Sequence, residues 1–274
     1  MQIAFYFLCD LHKARHTIIV FIMKYCFANC VGVIDSGVGG LTVLKQLQRN
    51  YSTCSFVYIA DSAYCPYGTR QPQQIYNRVY QMVQFLQNCG AQAVVIACNT
   101  ASVYADALRS EFNIPIYDVI TPTCKRVTKI TASKRVALLA TNATVASRVY
   151  QRYLNQNNIA VVSFPCSEFV PFVEGNKVNT ADCDAVIHKA LVNLPRCNVD
   201  TVILGCTHFP LLHKKIAPYC NRATIVECCT DFHAPDVCKQ NNSEKTVYLT
   251  TGTEAQVNLA ANWYGKVNFS HVDI

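Results

Sequence analysis

Near-continuous apolar runs recur along this chain and constrain its fold more than any other feature. VGVID (31–35), SFVYIAD (55–61), AVVIAC (93–98), VALLAT (136–141) and TVILGC (201–206) are too uniformly apolar for strands with one wet face. Strands of this kind are buried on both faces, as in parallel sheets covered by helices. The segments between them read as helices. LTVLKQLQ follows the Gly-rich turn SGVGG, and a helix over 72–88 carries Ile75, Val79, Met82, Val83 and Leu86 at helical spacing. This is the βαβ rhythm of an α/β fold.

The rhythm restarts after about residue 134, with a helix at 144–155, the run AVVSFPC, then VPFVEGN and a helix around 181–193. KTVYLTTG (245–252) and a helix after it return to the first half. The expectation is two similar doubly wound lobes with parallel sheets and an active site in the cleft between them. The first lobe takes residues 31–122 plus about 220–274, the second about 123–219, and residues 1–30 form an N-terminal extension. Ligands bind such sheets outside the carboxyl ends of the strands.

Bulk properties exclude several classes. The chain has 274 residues, 51% hydrophobic and 15% charged, which describes a folded protein without a disordered arm. The net charge of +7 is scattered, its densest groups being pairs such as Lys125-Arg126 and Lys214-Lys215. A nucleic-acid partner would call for a stripe, so none is expected. The apolar runs of the first thirty residues are far shorter than the roughly 20 residues that span a bilayer, and their order is wrong for a signal peptide. Met23 offers an alternative start, and the expectation is that residues 1–22 are a dispensable extension. Sixteen cysteines at irregular spacing, with no CxxC pair, fit a reducing cytoplasm and mostly buried, inert thiols.

Two of those cysteines stand apart. Aligned without gaps, AVVIACNTAS (93–102) and TVILGCTHFP (201–210) put Cys98 over Cys206, Asn99 over Thr207 and Thr100 over His208. A cysteine that ends a buried strand is more often packing than chemistry, but polar neighbours at both turns favour chemistry here. Covalent catalysis needs one nucleophile and a base, which leaves the second cysteine unexplained. Zinc wants three or four ligands; Cys98, Cys206 and His208 could supply three, without a short-range pair to support them. A disulfide switch would not call for matched positions in two lobes. Two-base chemistry does: one group removes a proton from one face of a carbon and the other returns one to the opposite face. Helix N–H groups at the two turns can lower a thiol pKa and hold a carboxylate.

At these residues the sequence resembles the glutamate racemases of the cofactor-independent aspartate/glutamate racemase superfamily. The resemblance covers roughly residues 31–274 and rests on six motifs in order: GVIDSGVGGLTVL, YIADSAYCPYG, VVIACNTAS, VALLATNATV, FVPFVEGN and LGCTHFPLL. It implies inversion between L- and D-glutamate for peptidoglycan, in the cytoplasm, with neither pyridoxal phosphate nor a metal. It makes Cys98 and Cys206 the two acid/base groups and Asp35, His208 and Glu174 their helpers. Substrate contacts fall on Asp35, Ser36, Tyr67, Gly68, Asn99, Thr100, Thr207 and His208, and Thr141 and Thr144 match a threonine pair. Glutamate is the implied partner; a homodimer is compatible with the resemblance.

Plainer readings stand beside these. SGVGG could be a phosphate loop, though it lacks the Lys of a P-loop and the GxGxxG spacing. Asp35 could cap the next helix, His208 could be structural, and Glu174 and Tyr67 could be turn residues. Thr121 stands where the family often has Glu, and VECCTDFHAPDV (226–237) is unlike the usual segment. An aspartate or other amino-acid racemase, a non-catalytic amino-acid-binding module and a Cys-dependent hydrolase or redox protein are the competing functions.

Overall fold

The computed structural model describes residues 30–228 and 245–274. The expected extension, apart from Cys30, and the segment VECCTDFHAPDV from residue 229 onward lie outside the described residues.

The first half builds β1 (Cys30–Asp35), α1 (Leu41–Asn50), β2 (Ser55–Ala60), α2 (Pro72–Asn88), β3 (Ala93–Ile96), α3 (Asn99–Ser102), α4 (Ala105–Arg109) and β4 (Ile116–Asp118). The second half opens with α5 (Ile120–Ile130), β5 (Arg135–Ala140), α6 (Asn142–Ser147), α7 (Val149–Asn155) and β6 (Ala160–Pro165). It continues with α8 (Val170–Glu174), α9 (Ala181–Leu191), β7 (Thr201–Gly205), α10 (His213–Ile216) and β8 (Thr224–Glu227). After the undescribed segment come β9 (Thr246–Thr250), α11 (Glu254–Ala260) and β10 (Ser270–His271).

Two sheets result, ordered β10-β9-β2-β1-β3-β4 and β6-β5-β7-β8. Every strand pair in them is parallel. The fold is α/β with two parallel-sheet lobes, as the apolar strands predict. In each sheet the winding reverses beside its first strand: between β1 and β3 in one, between β5 and β7 in the other. A crevice opens at such a switch point, outside the carboxyl ends of the strands. Cys98 follows β3 and Cys206 follows β7, so each lobe carries one thiol at its own crevice.

Strand residues alternate between two cores, as a period of two requires. Val31, Val33, Phe56 and Tyr58 of the first sheet share a central core with Ala137, Leu139, Val202 and Leu204 of the second. Ile34, Val57, Ile59 and Ile96 face an outer core with α2, whose buried residues include the five expected, Ile75, Val79, Met82, Val83 and Leu86. Each such side chain contributes roughly 1.5–3 kcal/mol when fully buried.

Elements near both ends of the span expected at about 123–219 also pack on or join the second sheet. Ile120, Cys124 and Val127 of α5 pack with Val136 and Leu138 of β5, and β8 pairs with β7 as far as Glu227. The helix expected at 144–155 is two helices, α6 and α7, separated by Arg148 in the left-handed region at φ 56°. Among the described cysteines all but Cys54 are free thiols. Cys54 is disulfide-bonded, an exception to the expectation of mostly buried, inert thiols. Among the described residues no helix is long and apolar enough to cross a membrane.

Candidate active site

Asp35 ends β1 and turns its carboxylate back over the following loop. Its Oδ1 accepts from the Gly37 N–H at 3.0 Å and its Oδ2 from the Thr207 hydroxyl of the other lobe at 3.1 Å. Burial, the dominant cause, raises the Asp35 carboxyl to about 6 against the opposing pull of His208, Gly37 and Thr207.

The Gly-rich turn is a place where the second lobe approaches the backbone, which answers the phosphate-loop reading. A Cβ on Gly37 would lie 2.0 Å from Glu174 Oε1, and one on Gly39 would lie 2.5 Å from His208 Nδ1. Glu174 Oε1 accepts from the Val38 N–H at 2.8 Å and meets His208 Nε2 at 2.5 Å. The other ring nitrogen, Nδ1, sits 3.7 Å from Cys206 Sγ. Burial opposes charge on His208, but its contacts with Cys206 and Glu174 outweigh it and hold the imidazole well above its ordinary pKa.

Cys98 has different company. Its Sγ lies 3.8 Å from the Ser36 hydroxyl, and burial, then the Asp35 charge, push its thiol up to about 12. The backbone N–H of Ala101 pulls the other way, as the sequence led one to expect of a helix start, and is outweighed. Cys206 also contributes to the rise, so the two thiols feel each other.

The threonines form a bridge between lobes. Thr100 Oγ1 lies 2.8 Å from Thr141 Oγ1 and 3.2 Å from Thr144 Oγ1, and the latter two are 2.9 Å apart. Gly68 packs its backbone on Thr141, where a Cβ would come within 2.7 Å of the Thr141 Cβ. A cavity of about 650 Å³ opens there, lined by Gly68, Arg70, Thr100, Tyr104 and Asn142 among others.

Two expected substrate contacts turn their side chains elsewhere. The Tyr67 hydroxyl donates to Asp61, which Arg78 holds in a buried ion pair at 2.6 Å. The Asn99 amide accepts from Tyr150 OH at 2.6 Å and donates to Cys228 Sγ at 3.1 Å. Sequence reasoning did not single out Cys65, a third thiol in the loop after β2, which lies beside Glu174 and His208. The signal was available: β2 lies beside β1, so its carboxyl end reaches the same edge of the sheet.

Two parallel-sheet lobes, each ending a buried strand in a thiol and a polar turn, with the two thiols near enough to interact, set the class of fold to compare. The chain belongs to the Asp/Glu/Hydantoin racemase family, whose model matches residues 31–232. It is 38% identical over 198 residues to a glutamate racemase of Aquifex pyrophilus, covering 72% of this chain and 78% of that one. Over 263 residues it is 34% identical to a glutamate racemase of Lactiplantibacillus plantarum, covering 90% of this chain and 96% of the relative. Among solved structures, glutamate racemase isoform RacE1 from Bacillus anthracis superposes with a TM-score of 0.83 at 30% identity, covering 91% of this chain and 98% of its own. The glutamate racemase from Francisella tularensis, solved in complex with D-glutamate, gives 0.78 at 27% identity, covering 89% and 96%.

Proposed function

We propose that the chain is a glutamate racemase in which Cys98 and Cys206 exchange a proton with Cα from opposite faces. The convergence of the two switch-point thiols on one cleft carries this reading, and the relatives supply the substrate.

The surroundings support different resting roles for the two thiols. Cys98, buried beside Asp35, is the thiol that donates, while Cys206, beside a protonated His208, is the base that receives. Glu174 fixes the His208 ring and balances its charge. Turnover exchanges the two roles, and Asp35 then answers for Cys98 as His208 does for Cys206. Ser36, Thr100, Thr207 and the backbone N–H groups of the strand-end turns hold the substrate carboxylates. Asn99 contributes through its backbone and through the anchor its amide gives the turn, and Tyr67 through the backbone of its turn with Gly68. A buried cleft strengthens each of these contacts to the carbanion that develops. Positioning Cα between two fixed groups lowers the barrier further. The reaction belongs in the cytoplasm, where the D-glutamate would enter peptidoglycan precursors.

The test is exchange at Cα. The protein is incubated in D2O with L- or D-glutamate and with both aspartates; circular dichroism follows inversion and NMR follows deuterium. Inversion of glutamate, reduced by about 10²–10⁴ in both Cys98→Ser and Cys206→Ser, is the expected result. A folded protein that exchanges none of the four substrates overturns the reading, and inversion of aspartate alone replaces the substrate.

A further inference from the structure

Cys65, Glu174 and His208 come together at the rim of the cleft from three separate stretches of the chain. One donor atom from each, a thiol sulfur, a carboxylate oxygen and a ring nitrogen, lies within 4.8 Å of the other two. A cavity of about 430 Å³, distinct from the one beside Thr100, reaches Cys65 and Glu174 between α8 and α11. Nothing in the two-base reading uses Cys65.

The donor set is that of a borderline transition metal. Zinc accepts sulfur, imidazole nitrogen and carboxylate oxygen at roughly 2.0–2.3 Å, with three protein ligands and one open position as a common arrangement. The electrostatics agree. Among the described residues, the ion-pair partner of Glu174 is His208, and no lysine or arginine pairs with it. The Glu174 carboxylate attracts a divalent cation, and metal binding to a thiol releases its proton.

We propose that Cys65, Glu174 and His208 form an inhibitory site for zinc or a metal of similar softness, entered through the smaller cavity. Occupation would break the Glu174–His208 bond and set a double positive charge across the imidazole ring from Cys206. With its ring held by the metal and no longer by Glu174, His208 cannot support Cys206 in its turn as acid and base. The inhibitory consequence rests on the two-base reading; the binding site does not.

The full-length protein is titrated with Co2+, whose thiolate charge-transfer absorption reports sulfur ligation, and with Zn2+ in competition with a chromogenic chelator. Wild type, Cys65→Ser, Glu174→Gln and Cys206→Ser are compared, and racemisation is followed against free Zn2+ and after chelation. One equivalent of metal with a thiolate band is expected. That band should vanish in Cys65→Ser, persist in Cys206→Ser, and be accompanied by affinity at least about tenfold weaker in Glu174→Gln. Zinc should inhibit wild type reversibly, whereas Cys65→Ser, with its own basal rate near that of wild type, should tolerate at least about ten times more. No stoichiometric binding, or a band that survives in Cys65→Ser, overturns the site. Metal binding without racemisation would leave the site standing and overturn the enzyme assignment instead.

Discussion

At the scale of residues, the two thiols are matched in position and unlike in environment. Cys206 has an imidazole at 3.7 Å, backed by Glu174, whereas Cys98 has a hydroxyl at 3.8 Å and a buried carboxyl nearby. The Asp35 carboxyl has a measurable consequence, because burial raises it from 3.8 to about 6 in the folded state. Protons then bind the folded protein more tightly than the unfolded chain between those values. The stabilisation is fully present below the unfolded value and is lost as pH rises through about 6, by an amount on the order of 3 kcal/mol. Asp35→Asn should flatten that decline in denaturation curves taken from pH 4 to 7. The same ionisation should appear as an acid limb in kcat/KM near 6, which Asp35→Asn removes. A limb unchanged in the variant would show that another group titrates there. Cys98 and Cys206 were legible in the sequence because each ends an apolar run. The turn of the Asn99 and Tyr67 side chains to other buried partners was not, since Tyr150, Cys228, Asp61 and Arg78 are brought to them by the fold.

At the scale of elements, the turn after β2 depends on a buried charge. Asp61 pairs with Arg78 of α2 and also accepts from Tyr67 and Thr251. Arg78→Met would leave Asp61 buried without its cation, a change expected to cost about 3–5 kcal/mol. Urea denaturation should show this as a lower midpoint; an unchanged midpoint would mean that the hydroxyls alone satisfy Asp61. The long strands and α2 were readable from period and apolarity. β4, β8 and β10 were not, for they have three, four and two residues and no continuous apolar run of their own. They form because a neighbouring edge offers backbone partners, which no local pattern records. The break at Arg148 is similar, an αL residue inside a stretch whose sequence reads as helix throughout.

At the scale of the molecule, the lobes share a central core, and the Gly-rich turn of one sits under Glu174 and His208 of the other. Gly37→Ala would place a methyl group 2.0 Å from Glu174 Oε1, so Glu174 must leave both Val38 and His208. The half-buried glutamate can swing aside, so folding should survive while kcat falls by up to about 10²-fold through misplacement of His208. Steady-state circular dichroism beside a thermal melt separates the two effects; a lost fold with no soluble protein would instead make the contact a structural one.

The site also draws its two halves from different stretches of one polypeptide, Cys98-Asn99-Thr100 from the first and Cys206-Thr207-His208 from the second. A site assembled from two identical chains must carry the same residues on both sides. Here each half is encoded separately and is free to drift under its own selection. Imidazole beside one thiol and carboxyl beside the other record that freedom, which lets each face of the substrate acquire its own reactivity while the scaffold keeps its near-symmetry.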